Sequence, residues 1–68
     1  MNLMKTEWDY IEKLIEDALN ERIRAYDDYK YLIIDSNTLL VKIYEDNQLV
    51  FTIKFRLYNE KLEVIDAK

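Results

Sequence analysis

After Asp27-Asp28 the hydrophobic period of the chain changes from three or four residues to two, and that switch constrains the fold more than any other feature. Before it, Trp8, Ile11, Leu14, Ile15, Ala18, Leu19, Ile23 and Tyr26 recur at helical steps, while Asp9, Lys13, Glu16, Asp17, Asn20, Glu21 and Arg24 fall on the opposite side. Thr6 is a good N-cap, and Asp9 three residues later makes a weak capping box. Glu7 and Asp9 near the start, with Arg22 and Arg24 near the end, suit the helix dipole. The pattern predicts one amphipathic helix from about Thr6 to about Tyr26, ~30 Å long at ~1.5 Å per residue.

After the switch, Tyr29–Asp35, Thr38–Glu45, Leu49–Tyr58 and Lys61–Asp66 each alternate and are rich in β-branched and aromatic residues. The sequence has no Gly and no Pro, so its turns fall to other residues. Ser36-Asn37, Asp46-Asn47-Gln48 and Asn59-Glu60 each supply an Asn, the residue other than Gly that best tolerates positive φ. These four strands predict an antiparallel meander behind a single helix, an α+β domain of order α-β-β-β-β spanning 1–68.

Register follows from matching faces, because a slip of one residue exchanges them. A two-residue loop at Asn59-Glu60 pairs Leu57 with Leu62, Phe55 with Val64 and, on the reverse, Arg56 with Glu63. A two-residue loop at Ser36-Asn37 pairs Ile34 with Leu39 and Leu32 with Val41. For the middle hairpin, a three-residue loop from Asp46 to Gln48, formed by a turn with a bulge, aligns Ile43 with Phe51 and Val41 with Ile53. One face then carries Leu32, Ile34, Leu39, Val41, Ile43, Leu49, Phe51, Ile53, Phe55, Leu57, Leu62 and Val64, and the helix covers it.

One helix covers one side of a sheet. The other side is expected to show Tyr29, Tyr31, Ile33, Leu40, Lys42, Tyr44, Val50, Thr52, Lys54, Arg56, Tyr58, Glu63 and Ile65. Within it, Tyr29, Tyr31, Leu40, Lys42, Tyr44, Lys54, Arg56 and Tyr58 are the candidate partner-binding residues, since Tyr and Arg dominate protein contacts. The helix exterior, with Glu7, Asp9, Glu12, Glu16, Asp17 and Glu21, is acidic, so the molecule should have two electrically different sides.

The expected role is a small non-catalytic interaction or regulatory domain, acting as a homodimer or docking a larger protein through this face or through the edge strand Tyr29–Asp35. A domain of 68 residues buries only ~60% of its unfolded surface, so extra burial in a partner is useful. Three alternatives stand beside this. The face can be an ordinary solvated β-surface. It can bind single-stranded nucleic acid, with bases on Tyr and phosphates on Lys42, Lys54 and Arg56, although a net charge of -4 opposes that. The acidic helix can imitate nucleic acid, although -4 is mild for a mimic.

Catalysis has little to work with. There is no His and no Cys, and Ser36, the only serine, is a turn former without a base. Asp27-Asp28 reads as a pair of solvated junction residues, and no cofactor or metal is expected. Arg22 falls inside the apolar stripe, where its stem packs and its head reaches water, stacking on Tyr26. Trp8 reads as a residue at the edge of the core. The lack of Cys fits a reducing compartment. No apolar run approaches the ~20 residues of a membrane span, and the stretch from Met1 to Thr6 lacks a signal-peptide core. The expected setting is the cytoplasm.

Overall fold

Asn2 opens the described chain by accepting the Met4 amide on its side chain, and so caps a short 3-10 turn, Leu3–Lys5. The computed structural model describes residues 2–23 and 26–68; the expectation for Arg24 lies outside them, as does Met1. The turn buries Leu3, whose amide donates to the Ser36 carbonyl at 2.7 Å. The predicted cap moves accordingly. Thr6 spends its hydroxyl on the Asn2 carbonyl at 2.6 Å, and the helix α1, Trp8–Asn20, starts after Glu7 with no side-chain cap.

α1 has 13 residues, ~20 Å of helix, and stops short of the predicted Tyr26. Ile11, Leu14, Ile15, Ala18 and Leu19 are its buried stripe. Ile23 and Tyr26 still pack on the core, but from the connection beyond the helix. Arg22 lies past the helix end and is exposed.

Four antiparallel strands follow in a single sheet of order β1-β2-β3-β4: β1 Asp28–Asp35, β2 Thr38–Glu45, β3 Gln48–Tyr58 and β4 Lys61–Ala67. The predicted fold class, one helix followed by a four-stranded meander, is the observed one. Leu39, Val41, Ile43, Ile53, Phe55, Leu57 and Leu62 join the helix stripe in one core, with Phe51 and Val64 half-buried against it.

The last hairpin pairs as predicted, with Leu57 opposite Leu62, Arg56 opposite Glu63 and Phe55 opposite Val64. Asn59 and Glu60 both take positive φ, 51° and 62°, as a type I′ turn requires. The middle hairpin keeps its predicted register, Ile43 opposite Phe51 and Val41 opposite Ile53, by another route. Its loop is the two residues Asp46 and Asn47, at φ 53° and 62°, and the extra residue is Val50, a bulge inside β3. That bulge sets Leu49 opposite Tyr44 on the uncovered side, so Leu49 is not in the core and is 51% exposed.

The first hairpin corrects the sequence reading. Asp35 pairs with Thr38 across Ser36-Asn37, but Ile34 is then left unpaired and the register shifts by one. Ile33 lies opposite Leu39, Tyr31 opposite Val41 and Tyr29 opposite Ile43. Tyr29, Tyr31 and Ile33 therefore face the helix, and Leu32 and Ile34 face away. The turn explains the bulge. Neither Ser36 nor Asn37 has the positive φ of a primed turn, whose twist matches the strands. An unpaired residue just before it restores that twist locally.

Candidate functional site

Cross-strand partners in an antiparallel sheet share a side, so the registers define the uncovered face row by row. Asp28, Tyr44 and Leu49 form one end. Next come Lys30, Lys42 and Thr52, whose last member exchanges two backbone hydrogen bonds with Lys68. The middle row is Leu32, Leu40, Lys54 and Asp66. Beyond it lie Thr38, Arg56 and Glu63, and then Tyr58 with Lys61.

Six of the eight candidate residues share this surface: Leu40, Lys42, Tyr44, Lys54, Arg56 and Tyr58. Tyr29 and Tyr31 do not. The sequence reading missed Leu32, at 63% exposed the most open large apolar residue of the sheet, and with it Ile34 and Lys30. A signal for them existed. Asp28, Lys30 and Leu32 share a parity, and two charges on that parity mark it as the side toward water.

Tyr29 and Tyr31 close the seam between β1 and α1. The Tyr29 hydroxyl donates to Glu16 at 3.0 Å, and the Tyr31 hydroxyl makes a long contact, 3.5 Å, with Glu12. Trp8, one helical turn before Glu12, is exposed and is not a core-edge residue; its ring lies 5.8 Å from that of Tyr31. Tyr31, Tyr29 and Tyr26 continue the row at 6.4 and 6.0 Å. Burial, then the hydrogen bond and charge of Glu16, push the Tyr29 phenol well above its usual range. Burial and Glu12 raise Tyr31 in the same way, and burial and Glu16 raise Tyr26.

The paired aspartates at the junction have structural tasks. Asp27 accepts the Asp46 amide at 2.7 Å and so ties the connection to the middle turn, while Asp28 accepts the Tyr29 amide at 2.8 Å. The concavity they share with Lys30 and Tyr44 is about 310 Å³. Among the described residues no group of three or more Asp or Glu is arranged to hold a metal ion. A second groove, about 400 Å³, runs between α1 and β4, with Leu14, Ala18 and Leu62 on its floor and Lys13, Asp17 and Glu60 on its rim.

Both edges of the sheet are interrupted. β1 carries the Ile34 bulge, and the 3-10 turn is tied to the residue after its end. β4 carries a bulge at Ile65. The amides of Tyr29 and Ala67 donate to the carboxylates of Asp28 and Asp66 before them. Bulges and occupied amides discourage another strand from adding to an edge. Among the described residues no helix is long and apolar enough to cross a membrane. No protein-family model, curated protein or solved structure matches this chain.

Proposed function

We propose that this chain is a non-catalytic interaction domain that docks another protein, or a second copy of itself, on the uncovered face of its sheet, in the cytoplasmic setting that its lack of Cys suits. The observation that carries this reading is the exposure of Leu32 and Ile34, which share the uncovered side with Leu40, on a sheet whose two edges are both bulged. Contiguous apolar surface rimmed by charge is the usual mark of a docking site. With β1 in its observed register, the apolar part of this face centres on Leu32 opposite Leu40 rather than on a tyrosine row. The bulged edges favour the face over edge pairing.

The nucleic-acid alternative draws less support from this geometry. Bases stack on adjacent aromatic rings, and the uncovered face keeps only Tyr44 and Tyr58 of the expected four. Tyr44 lies opposite Leu49, and Tyr58 is at the other end of the same strand, roughly 30 Å away at ~3.3 Å per residue.

The test is the double variant Leu32→Ser/Leu40→Ser. Circular dichroism should show a native fold, while co-purification with the host partner, or self-association by light scattering, should disappear. Association at the native level in this variant would remove the face as the docking surface. Loss of folding would place both leucines in the core and overturn the face assignment itself.

A further inference from the structure

We propose that the partner of this face is an acidic protein segment that sets an apolar side chain on Leu32 and Leu40 and carboxylates between Lys30 and Lys42; the inference rests on the docking role proposed above. Its basis is an imbalance within the face. Arg56 lies opposite Glu63, and Lys54 opposite Asp66, so these cations have acidic neighbours in the sheet itself. Lys30 lies opposite Lys42. Like charges directly opposite on neighbouring strands destabilise a sheet.

The two lysines differ in their surroundings, since Lys30 shares a concavity with Asp27, Asp28 and Asp46 and Lys42 does not line it. Lys30 turns its ammonium group to the Tyr44 ring, 5.1 Å from the centroid. Lys42 has Lys30 and Thr52 beside it across the strands, and Leu40 and Tyr44 along its own, with no carboxylate among them. The adjoining row begins with Leu32, 63% exposed, and Leu40. The charge of Lys42 and uncovered apolar surface therefore sit side by side. A segment alternating acidic and apolar side chains answers both at once, by charge complementarity and by burial.

A second copy answers them poorly. A two-fold contact presents the same patch from both sides, so a dimer centred here brings four lysines together. Nucleic acid supplies negative charge, but the separation of Tyr44 and Tyr58 leaves its bases without a stacking row.

The experiment is amide chemical-shift mapping on the full chain with three probes. These are a peptide alternating Glu with Leu, the same peptide with every Glu replaced by Ser, and oligothymidylate. The Glu peptide should shift amides of β1 and β2 around Leu32 and Leu40, bind more weakly as salt rises, and lose at least tenfold in affinity in Lys42→Glu. That variant should also melt at a higher temperature than the native chain, because it turns a like-charge pair into an opposite pair. A gain in stability with a loss of affinity separates binding from folding. Equal binding of the Ser peptide would leave the docking face standing and overturn its acidic partner. Oligothymidylate binding at the same amides would replace the protein with nucleic acid. Line broadening at these amides without any probe, growing with concentration, would make the partner a second copy. No response at the face to any probe or to concentration would overturn both this inference and the docking role.

Discussion

Strand β2 shows two surfaces on one backbone. Leu39, Val41 and Ile43 are 0%, 0% and 1% exposed beneath the helix, while Leu40, Lys42 and Tyr44 alternate with them on the uncovered side. Leu39 and Leu40 are neighbours of identical chemistry, so what separates them is coverage by α1 and not residue type. Hydrophobic stabilisation scales with the apolar area withdrawn from water. Substitutions on the two sides should therefore fall into two classes.

The largest effect is expected at Phe55, fully buried at the centre of the covered side. Phe55→Ala should cost about 3–5 kcal/mol in denaturant unfolding, enough to unfold most of a domain this small. Leu32→Ser, on the uncovered side, should cost no more than ~0.5 kcal/mol. Similar losses in the two would end the distinction between the sides. A smaller effect concerns the turn that holds β3 and β4 in register. Glu60 sits at φ 62°, a conformation disfavoured for a residue with a side chain. Glu60→Gly should raise stability by about 1 kcal/mol, read as a higher denaturant midpoint with unchanged slope. A lower midpoint would mean that the Glu60 side chain contributes more than the backbone strain costs.

The smallest effect sharpens the comparison through the tyrosines. Tyr29 and Tyr31 on the covered side have raised phenol pKa values, because burial and Glu16 or Glu12 oppose the tyrosinate form. The neutral phenol is thus favoured in the folded chain. Its contribution is fully present below the unfolded value near 10 and is lost as the pH rises through the folded value. Stability should decline above about pH 10, and Tyr29→Phe should flatten that decline. A titration of unfolding midpoint against pH for the native chain and this variant decides it, and equal slopes in both would contradict the assignment of Tyr29 to the seam.

Much of this architecture was legible in the sequence. In β3 the alternation Phe51, Ile53, Phe55, Leu57 against Thr52, Lys54, Arg56 leaves one choice of face, and the pairing with β4 follows from it. β1 is different. Tyr29, Tyr31 and Ile33 are apolar on one parity, and Leu32 and Ile34 on the other, so hydrophobicity alone does not choose between them. Loop length chose wrongly, because a bulge inside the strand does not show in the loop. Tyrosine can serve the covered side only when its hydroxyl finds a partner, and Glu12 and Glu16 supply that from another element. Local sequence does not announce such a match. The helix was overextended for a related reason: Ile23 and Tyr26 keep the helical spacing yet pack from beyond its end. The sequence recovers the uncovered face in β2 and in β3 from Thr52 to Tyr58, but it puts Leu49 on the wrong side and inverts the β1 part.

The strand order β1-β2-β3-β4 has a kinetic consequence. Every strand pairs with its neighbour in the chain, so each hairpin closes a short loop and no strand waits for a distant one. Low sequence separation between contacting residues goes with fast folding. The chain contains no proline, so prolyl isomerisation adds no slow phase. The longest closure is the docking of α1 on β4, where Leu14 and Ala18 meet Leu62. That docking step, with the helix laid over hairpins already formed, is where the barrier to folding should lie.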